Sequence, residues 1–587
     1  MQLLSRRATW RIASVTLLLT VLVIACSAVQ TYPHAEPVVA THQSFDYQRD
    51  IRPILETRCM ACHGCYDAPC QLKLTSAEGI ERGASKKQVY DGTRIDDAEP
   101  TRLGIDADST EAWRQKGFFS VLHDANAGAA QQLDGSLLYR MIELGHRNPF
   151  PADSTLPEAI KIGTKHTFSC PSPGTFDDYA EENPHGGMPY ATSGLSDEEF
   201  ATLSRWISEG AVTAPQPWNP SAQEQASIER WETFFNQRGA REQLVSRYLF
   251  EHLFIAHLHF PDIAGSSFYE LVRSATPPGQ PAEPLATVRP NDDPGQPFYY
   301  RLRPLRETLV EKTHITYALD AQRMDRWQEL FLQNDWAVAT PPGYAYAERS
   351  NPFITFTAIP ARARYQFMLD SAEYFVRSFI RGPVCRGQIA TDVIRDQFWT
   401  VFEDPQQEAY VNDPLYRSLT TPLLGLPGQD SDLSALGAAW LEYSSKRNRY
   451  LTLRHGYYAE RKPAGADMAE IWDGDGHNRD ALLTIFRHHD SASVRRGLWG
   501  QVPETIWVMD YPLLERTYYE LVVNFNVFGS LSHQAQTRLY FDLIRNGAEH
   551  NFLRFVPAQA RKALYEQWYQ GHALLKDRIA YADVSLD

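Results

Sequence analysis

Cys59-Met60-Ala61-Cys62-His63 is the stretch on which the fold of the first part of this chain turns. Two thiols three positions apart, followed at once by a histidine, form the spacing that holds a c-type haem. Each thiol adds across one vinyl group of the porphyrin, and the adjacent imidazole reaches the iron as an axial ligand. Cys59 and Cys62 are therefore the candidate attachment points of one covalent haem c, and His63 is the candidate iron ligand. Asp50 to Arg58, just upstream, predicts a short helix leading into the motif, with Asp50 as its cap and Pro53 in the first turn. The competing reading is a zinc site, for which Cys65 and Cys70 would have to supply a second pair of ligands.

A second axial ligand is expected from a later loop. His185-Gly186-Gly187-Met188-Pro189-Tyr190 offers Met188 in a Gly/Pro context, with His185 as its rival. A methionine there would raise the redox potential. An amphipathic helix over Ala201 to Gly210 follows, capped by Ser196 or Asp197, with Leu203, Trp206 and Ile207 on one face. His63 and Met188 lie 125 positions apart, far more than a compact electron carrier needs, so a long insertion separates them.

The compartment comes from the N-terminus. Arg6, Arg7 and Arg11 precede Ile12 to Ala25, a 14-residue and mostly apolar stretch. That pattern suits an export signal, and it is short for a membrane span. A plain anchor is the alternative, because flanking residues can rescue a short span. Val23-Ile24-Ala25-Cys26 also has the form of a lipobox, so Cys26 is either lipidated or discarded on cleavage. Ser5-Arg6-Arg7 fits a twin-arginine signal poorly. The expected location is the periplasm of a Gram-negative bacterium. Seven cysteines are present, and an oxidising compartment permits disulfides among those left after haem attachment. Cys65 and Cys70 are close enough to pair, but sequence does not settle connectivity.

With 587 residues the chain has room for two to four domains. Its 43% hydrophobic and 22% charged content is globular, and a net charge of −15 argues against a nucleic-acid partner. The same charge argues against broad adhesion to an anionic bilayer, so contact with a membrane surface must be local and apolar. The expected organisation is a signal over 1–26, a linker over 27–44, a haem domain over 45–212, a Pro-rich hinge over 213–225 and a larger domain over 226–587. The fold class is mainly α: a cytochrome-c-like haem domain with a long insertion, then a helix-rich domain. One or two helices are expected over Gln223–Phe260, further helices over Ala363–Arg381 and Gln388–Phe402, and strands within Phe298–Thr316.

Two further places carry candidate chemistry. The helix around His252 and His257 reads either as the wall of an apolar groove with polar groups near a headgroup, or as core with hydrogen-bonded histidines. Arg381 and Arg386, flanking Gly382-Pro383, read as a two-arginine clamp for a carboxylate or phosphate, or as a polar turn. Asp473-Gly474-Asp475-Gly476-His477-Asn478 is not a calcium loop, because its fifth position is His477 and its twelfth is Thr484.

The run from Cys59 through Gly64-Cys65-Tyr66-Asp67-Ala68-Pro69-Cys70-Gln71-Leu72-Lys73-Leu74 resembles the haem-site region of bacterial fatty-acid cis/trans isomerases. So do Arg82 to Lys86, Pro100 to Leu103, Ala112 to Phe118 and Arg247 to Leu258. The resemblance covers most of the mature chain. Members of that family are usually longer, so a fragment or a shortened member is expected. The resemblance implies cis-to-trans conversion of unsaturated fatty acids, free or in phospholipids, without double-bond migration. A peptide bond, with partial double-bond character, already needs ~18–20 kcal/mol to rotate. A full C=C needs far more, so the reaction requires a group that transiently weakens the π bond, and the resemblance implies that haem is that group. Two other functions account for part of the sequence. A periplasmic electron-transfer cytochrome leaves the larger domain unused, and a haem-based sensor or binding module leaves the isomerase-like strings unexplained.

Overall fold

The computed structural model describes residues 45–568, apart from 66, 90, 92, 124–127, 152, 159, 161–168, 214–217, 384–396, 427–435 and 488–491. The expected signal, linker and lipobox, with Cys26, lie outside the described residues, as do Cys385, Arg386 and part of the hinge.

The chain first builds the ground around the CxxCH motif. Asp46 accepts from the amides of Gln48 and Arg49 and opens a wide turn over Tyr47–Ile51. That turn runs straight into helix α1, Arg52–Arg58. The expected cap, Asp50, lies inside the turn and pairs with Arg49 instead, because an extra turn precedes the predicted start. Helix α2, Leu137–Arg147, is capped by Ser136. Helix α3, Asp197–Ser208, is capped by Ser196, whose backbone amide is met in turn by Glu199. Ile51 and Leu55, Met60, Tyr139 and Ile142, and Leu203, Trp206 and Ile207 form one buried cluster. The three apolar faces thus close on each other beside the motif.

The rest of the chain is organised by a single large core running from Ile228 to Ala548. Helices α4, Ala222–Phe235, and α5, Ala240–Leu253, lead into a four-stranded sheet. Its strands are β1 His257–His259, β2 Tyr269–Ser274, β3 Tyr299–Pro304 and β4 Thr316–Ala318, in the order β3-β2-β1-β4. Helices α6, Ala361–Leu369, and α7, Ala372–Arg381, follow. A second sheet has β5 Gln397–Phe402, β6 Leu482–Arg487, β7 Ala492–Arg496 and β8 Ile506–Met509, in the order β7-β6-β5-β8. Within each sheet one pair is parallel, β1 with β4 and β5 with β8. Helix α8, Leu436–Arg461, precedes β6. Helix α9, Tyr511–Tyr518, and helix α10, Leu531–Leu553, complete the core.

The protein is helix-rich, as expected, with two small sheets in addition. Several predicted helices differ in extent. Of the one or two helices expected over Gln223–Phe260 there are two, α4 and α5, and the departure is that the end of the stretch forms β1. The expected helix over Ala363–Arg381 breaks at Asp370-Ser371 between α6 and α7. The described end of the expected helix over Gln388–Phe402 is strand β5. Gln397 to Phe402 is rich in aromatic and β-branched residues and pairs on both sides, with β6 and β8, and such residues suit a pleated, covered surface. The stretch Phe298–Thr316 contains β3 and the first residue of β4, as expected.

Residues near the motif are tied to later segments. Thr75 Oγ1 donates to Glu307 at 2.9 Å, and Lys73 pairs with the same carboxylate. Asp97 accepts from Asn526 and from the Ser530 amide, and Arg94 donates to the Phe528 carbonyl. The chain from Phe45 onward is one compact unit.

Candidate active site

At the end of α1 the Cys59 amide still donates to Leu55, and the His63 amide closes back on the Cys59 carbonyl at 3.0 Å. One turn therefore presents Cys59, Cys62 and His63 together. Cys59 is half-buried and Cys62 exposed, and both are free thiols. Cys70 is bonded to Cys170, and Cys65 is also in a disulfide. A Cys65–Cys70 pair is thus excluded, and neither thiol remains as a zinc ligand. Burial pushes the Cys59 thiol up to about 12.

His63 is buried, and its Nδ1 lies 3.0 Å from the Leu72 carbonyl oxygen. A carbonyl only accepts, so Nδ1 carries the proton and Nε2 keeps its lone pair. Burial also lowers the His63 pKa, which favours the neutral ring. Two free thiols and a neutral imidazole with an oriented Nε2 form a donor set that fits a covalently attached haem.

Met188 packs against the same apolar cluster that takes Cys59 and Met60, and its amide donates to the Met141 carbonyl on α2 at 2.8 Å. His185 is exposed, with its Nδ1 3.3 Å from the Asn148 carbonyl and its ring stacked on Phe150. The structure therefore puts Met188, and not His185, on the apolar cluster beside the motif.

A cavity of about 290 Å³ opens beside the motif, with Gly64 and Cys65 in its lining. Phe254, Ile255, Ile315, Val522, Phe525 and Phe528 supply an apolar wall. Lys73, Arg102, Arg303, Lys312 and Arg381 supply cations. Most are held in place by neighbours. Lys73 meets Glu307, Arg102 grips Asp106 with two nitrogens, and Arg303 pairs with Glu270 at 2.7 Å. Arg381 is buried and donates to the Glu311 and Lys312 carbonyls at 2.6 and 2.8 Å, so it ties the 311–312 turn to α7. Arg386, its expected partner in a clamp, is outside the described residues.

His257 also lines the cavity. Its Nδ1 lies 2.8 Å from that of His314, a separation at which one proton is shared between two nitrogens. Burial, with the neighbouring His314, lowers the His257 pKa to about 4. His252 has a different place. It is fully buried between the Tyr248 carbonyl, 2.7 Å from Nδ1, and Glu515 Oε1, 3.0 Å from Nε2, with its ring stacked on Tyr518. The expectation that the two histidines share a helix fails because α5 ends at Leu253. The chain re-emerges as β1, which carries His257 to the cavity and leaves His252 in the core.

Sequence reasoning missed Lys73, Arg303, Lys312 and His314 as site residues, and it missed the wall from Val522 to Phe528. Val522 sits on a wide helical turn, Tyr519–Val523, closed by the Asn524 amide on the Tyr519 carbonyl. Such turns often mark functional sites, but they leave no signature in a single sequence.

An apolar wall facing fixed cations, in a helix-rich frame, suits an enzyme that handles amphiphiles. The model of the family described as fatty acid cis/trans isomerase (CTI) matches residues 98–587. The chain belongs to that family and is an isomerase of fatty acids. The matched span begins after the CxxCH motif. No curated protein and no solved structure matches the chain.

Proposed function

We propose that the protein isomerises cis-unsaturated acyl chains, as free fatty acids or in phospholipids, with a haem held by Cys59, Cys62 and His63 and with Met188 as second axial ligand. In this reading residues 45–212 are the cytochrome-c-like part, and the protein works in the periplasm. The observation that carries it is that Gly64 and Cys65, next to His63, line the same cavity as the apolar wall and the cations. A haem held by Cys59, Cys62 and His63 would supply an electron-poor centre able to draw π density from an alkene.

The chain's own residues do the rest. Phe254, Ile255, Ile315 and Val522 take the hydrocarbon and keep water from it. Lys73, Arg102, Arg303 and Lys312 favour the carboxylate or phosphate end. Arg381 positions Lys312 by holding its carbonyl. The His257–His314 pair offers a neutral polar contact in the wall. His252 acts from the core, where its bond to Glu515 joins α5 to α9.

The test is direct. Haem-loaded protein is mixed with a cis-monounsaturated fatty acid or phospholipid and the acyl chains are analysed for trans isomer. Trans product is expected from the wild type and none from Cys62→Ala. Full activity in haem-free Cys62→Ala protein would sink the haem dependence and leave the isomerase standing.

A further inference from the structure

Far along the chain, the loop after β7 carries apolar side chains in water. Leu498 is 45% exposed, Trp499 58% and Val502 79%. This is not a slack loop. The Trp499 amide donates to Thr484 Oγ1 at 2.9 Å, and the Trp499 carbonyl accepts from Trp399 Nε1 and from Gln397 Nε2. The Gln397 amide reaches the Gln501 carbonyl as well, at 2.9 Å. Gly497 and Gly500 take positive φ, 92° and 79°, which lets the backbone turn inward while the side chains between them face out. The indole N–H of Trp499 is met by the Arg496 carbonyl at 2.7 Å, so its exposed ring can leave water with no polar group stranded.

The neighbouring sheet surface continues this character. Leu482 at the start of β6 is exposed, and Phe486 and Trp399 are half-exposed. Arg495, paired opposite Thr484 on this face, is exposed and has no ion-pair partner among the described residues, whereas Arg496 is paired with Glu373 and Asp480. On a chain of net charge −15, an exposed arginine on the same sheet face as a hydrogen-bonded apolar tip is a local exception. Tryptophan is favoured at the membrane–water boundary, and arginines there meet anionic headgroups.

We propose that the β7–β8 loop, through Leu498, Trp499 and Val502 with Arg495 behind them, docks the enzyme on an anionic phospholipid bilayer. The inference rests on the reading that the acyl substrate is drawn from membrane lipid. It gives the protein the local apolar contact that its overall charge requires.

The experiment sediments the haem-loaded full chain with vesicles of phosphatidylethanolamine and phosphatidylglycerol. Wild type is expected to co-sediment. Leu498→Asp with Val502→Asp is expected to weaken partitioning at least tenfold. Arg495→Gln is expected to weaken it less, with an effect that vanishes in high salt. Met468→Asp, at a residue 75% exposed elsewhere, is the control and should bind as wild type does. All variants should isomerise free cis fatty acid in detergent micelles at the wild-type rate. Equal sedimentation of wild type and the double aspartate variant, or no sedimentation of wild type, overturns the proposal. Loop-dependent sedimentation without trans product from vesicle lipid supports the docking and sinks the membrane-lipid substrate reading.

Discussion

The Nδ1 of His63 donates to the carbonyl oxygen of Leu72, 3.0 Å away, in a segment that turns back on the motif. The Leu74 amide donates in turn to the His63 carbonyl at 2.8 Å, so the ring and its backbone are held by the same short return. This bond sets the tautomer and leaves the Nε2 lone pair available for a metal. In His63→Ala the thioether links through Cys59 and Cys62 should survive, and the visible spectrum should change. Added imidazole should restore much of the wild-type spectrum, read by titration. An unchanged His63→Ala spectrum would remove His63 from the iron.

The proposed second ligand turns on two neighbouring residues. Met188 shares the apolar cluster of Cys59, while His185 is exposed and stacked on Phe150. Met188→Ala is expected to shift the spectrum and lower the reduction potential, because a thioether ligand raises it. His185→Ala is expected to leave both unchanged. The reverse pattern would assign His185.

The cavity is open to a steric test that spares the core. Thr313 lines it and is only half-buried. Thr313→Trp should fill the space and lower kcat/KM for a cis fatty acid by roughly tenfold or more, about 1.4 kcal/mol per factor of ten. The haem spectrum and Tm should stay within error of wild type. Undiminished turnover in this variant would place the substrate elsewhere.

Glu520 predicts a pH dependence of stability. It is buried on the turn that presents Val522, its Oε2 has no hydrogen-bond partner among the described residues, and burial pushes its carboxyl from 4.5 up to about 8. The unfolded chain ionises it from about pH 4.5, while the folded protein keeps it protonated to about pH 8. Stability from this group is therefore full below pH 4.5 and is lost as pH rises to about 8. Each pKa unit is worth roughly 1.4 kcal/mol, so the effect is several kcal/mol at most. Glu520→Gln should flatten this decline and raise Tm above wild type at pH 8.5, measured by thermal scans across pH. An identical pH profile in the two proteins would show that Glu520 titrates normally.

Much of the local architecture was legible in order along the chain. Leu203, Trp206 and Ile207 marked α3 by their spacing, and Ser196 with Glu199 marked its start. The strand β5 was misread because a short run such as Phe398-Trp399-Thr400-Val401 has no period long enough to separate strand from helix. Arg381 was read as an anion clamp because a sequence shows its charge. Its commitment to the 311 and 312 carbonyls comes from a turn seventy residues earlier in the chain.

By itself the sequence determined the CxxCH motif, the family and the helix-rich class. Each rests on residues close together in the chain, where covalent spacing and helical periodicity leave a direct record. Only the tertiary structure decided that Gly64, Arg303 and Phe528 share one cavity, that His257 faces it while His252 lies in the core, and that Trp499 is held out in water. These relations depend on long-range packing. Side chains hundreds of positions apart meet because burying one apolar core fixes where every loop must run, and no local pattern records that outcome.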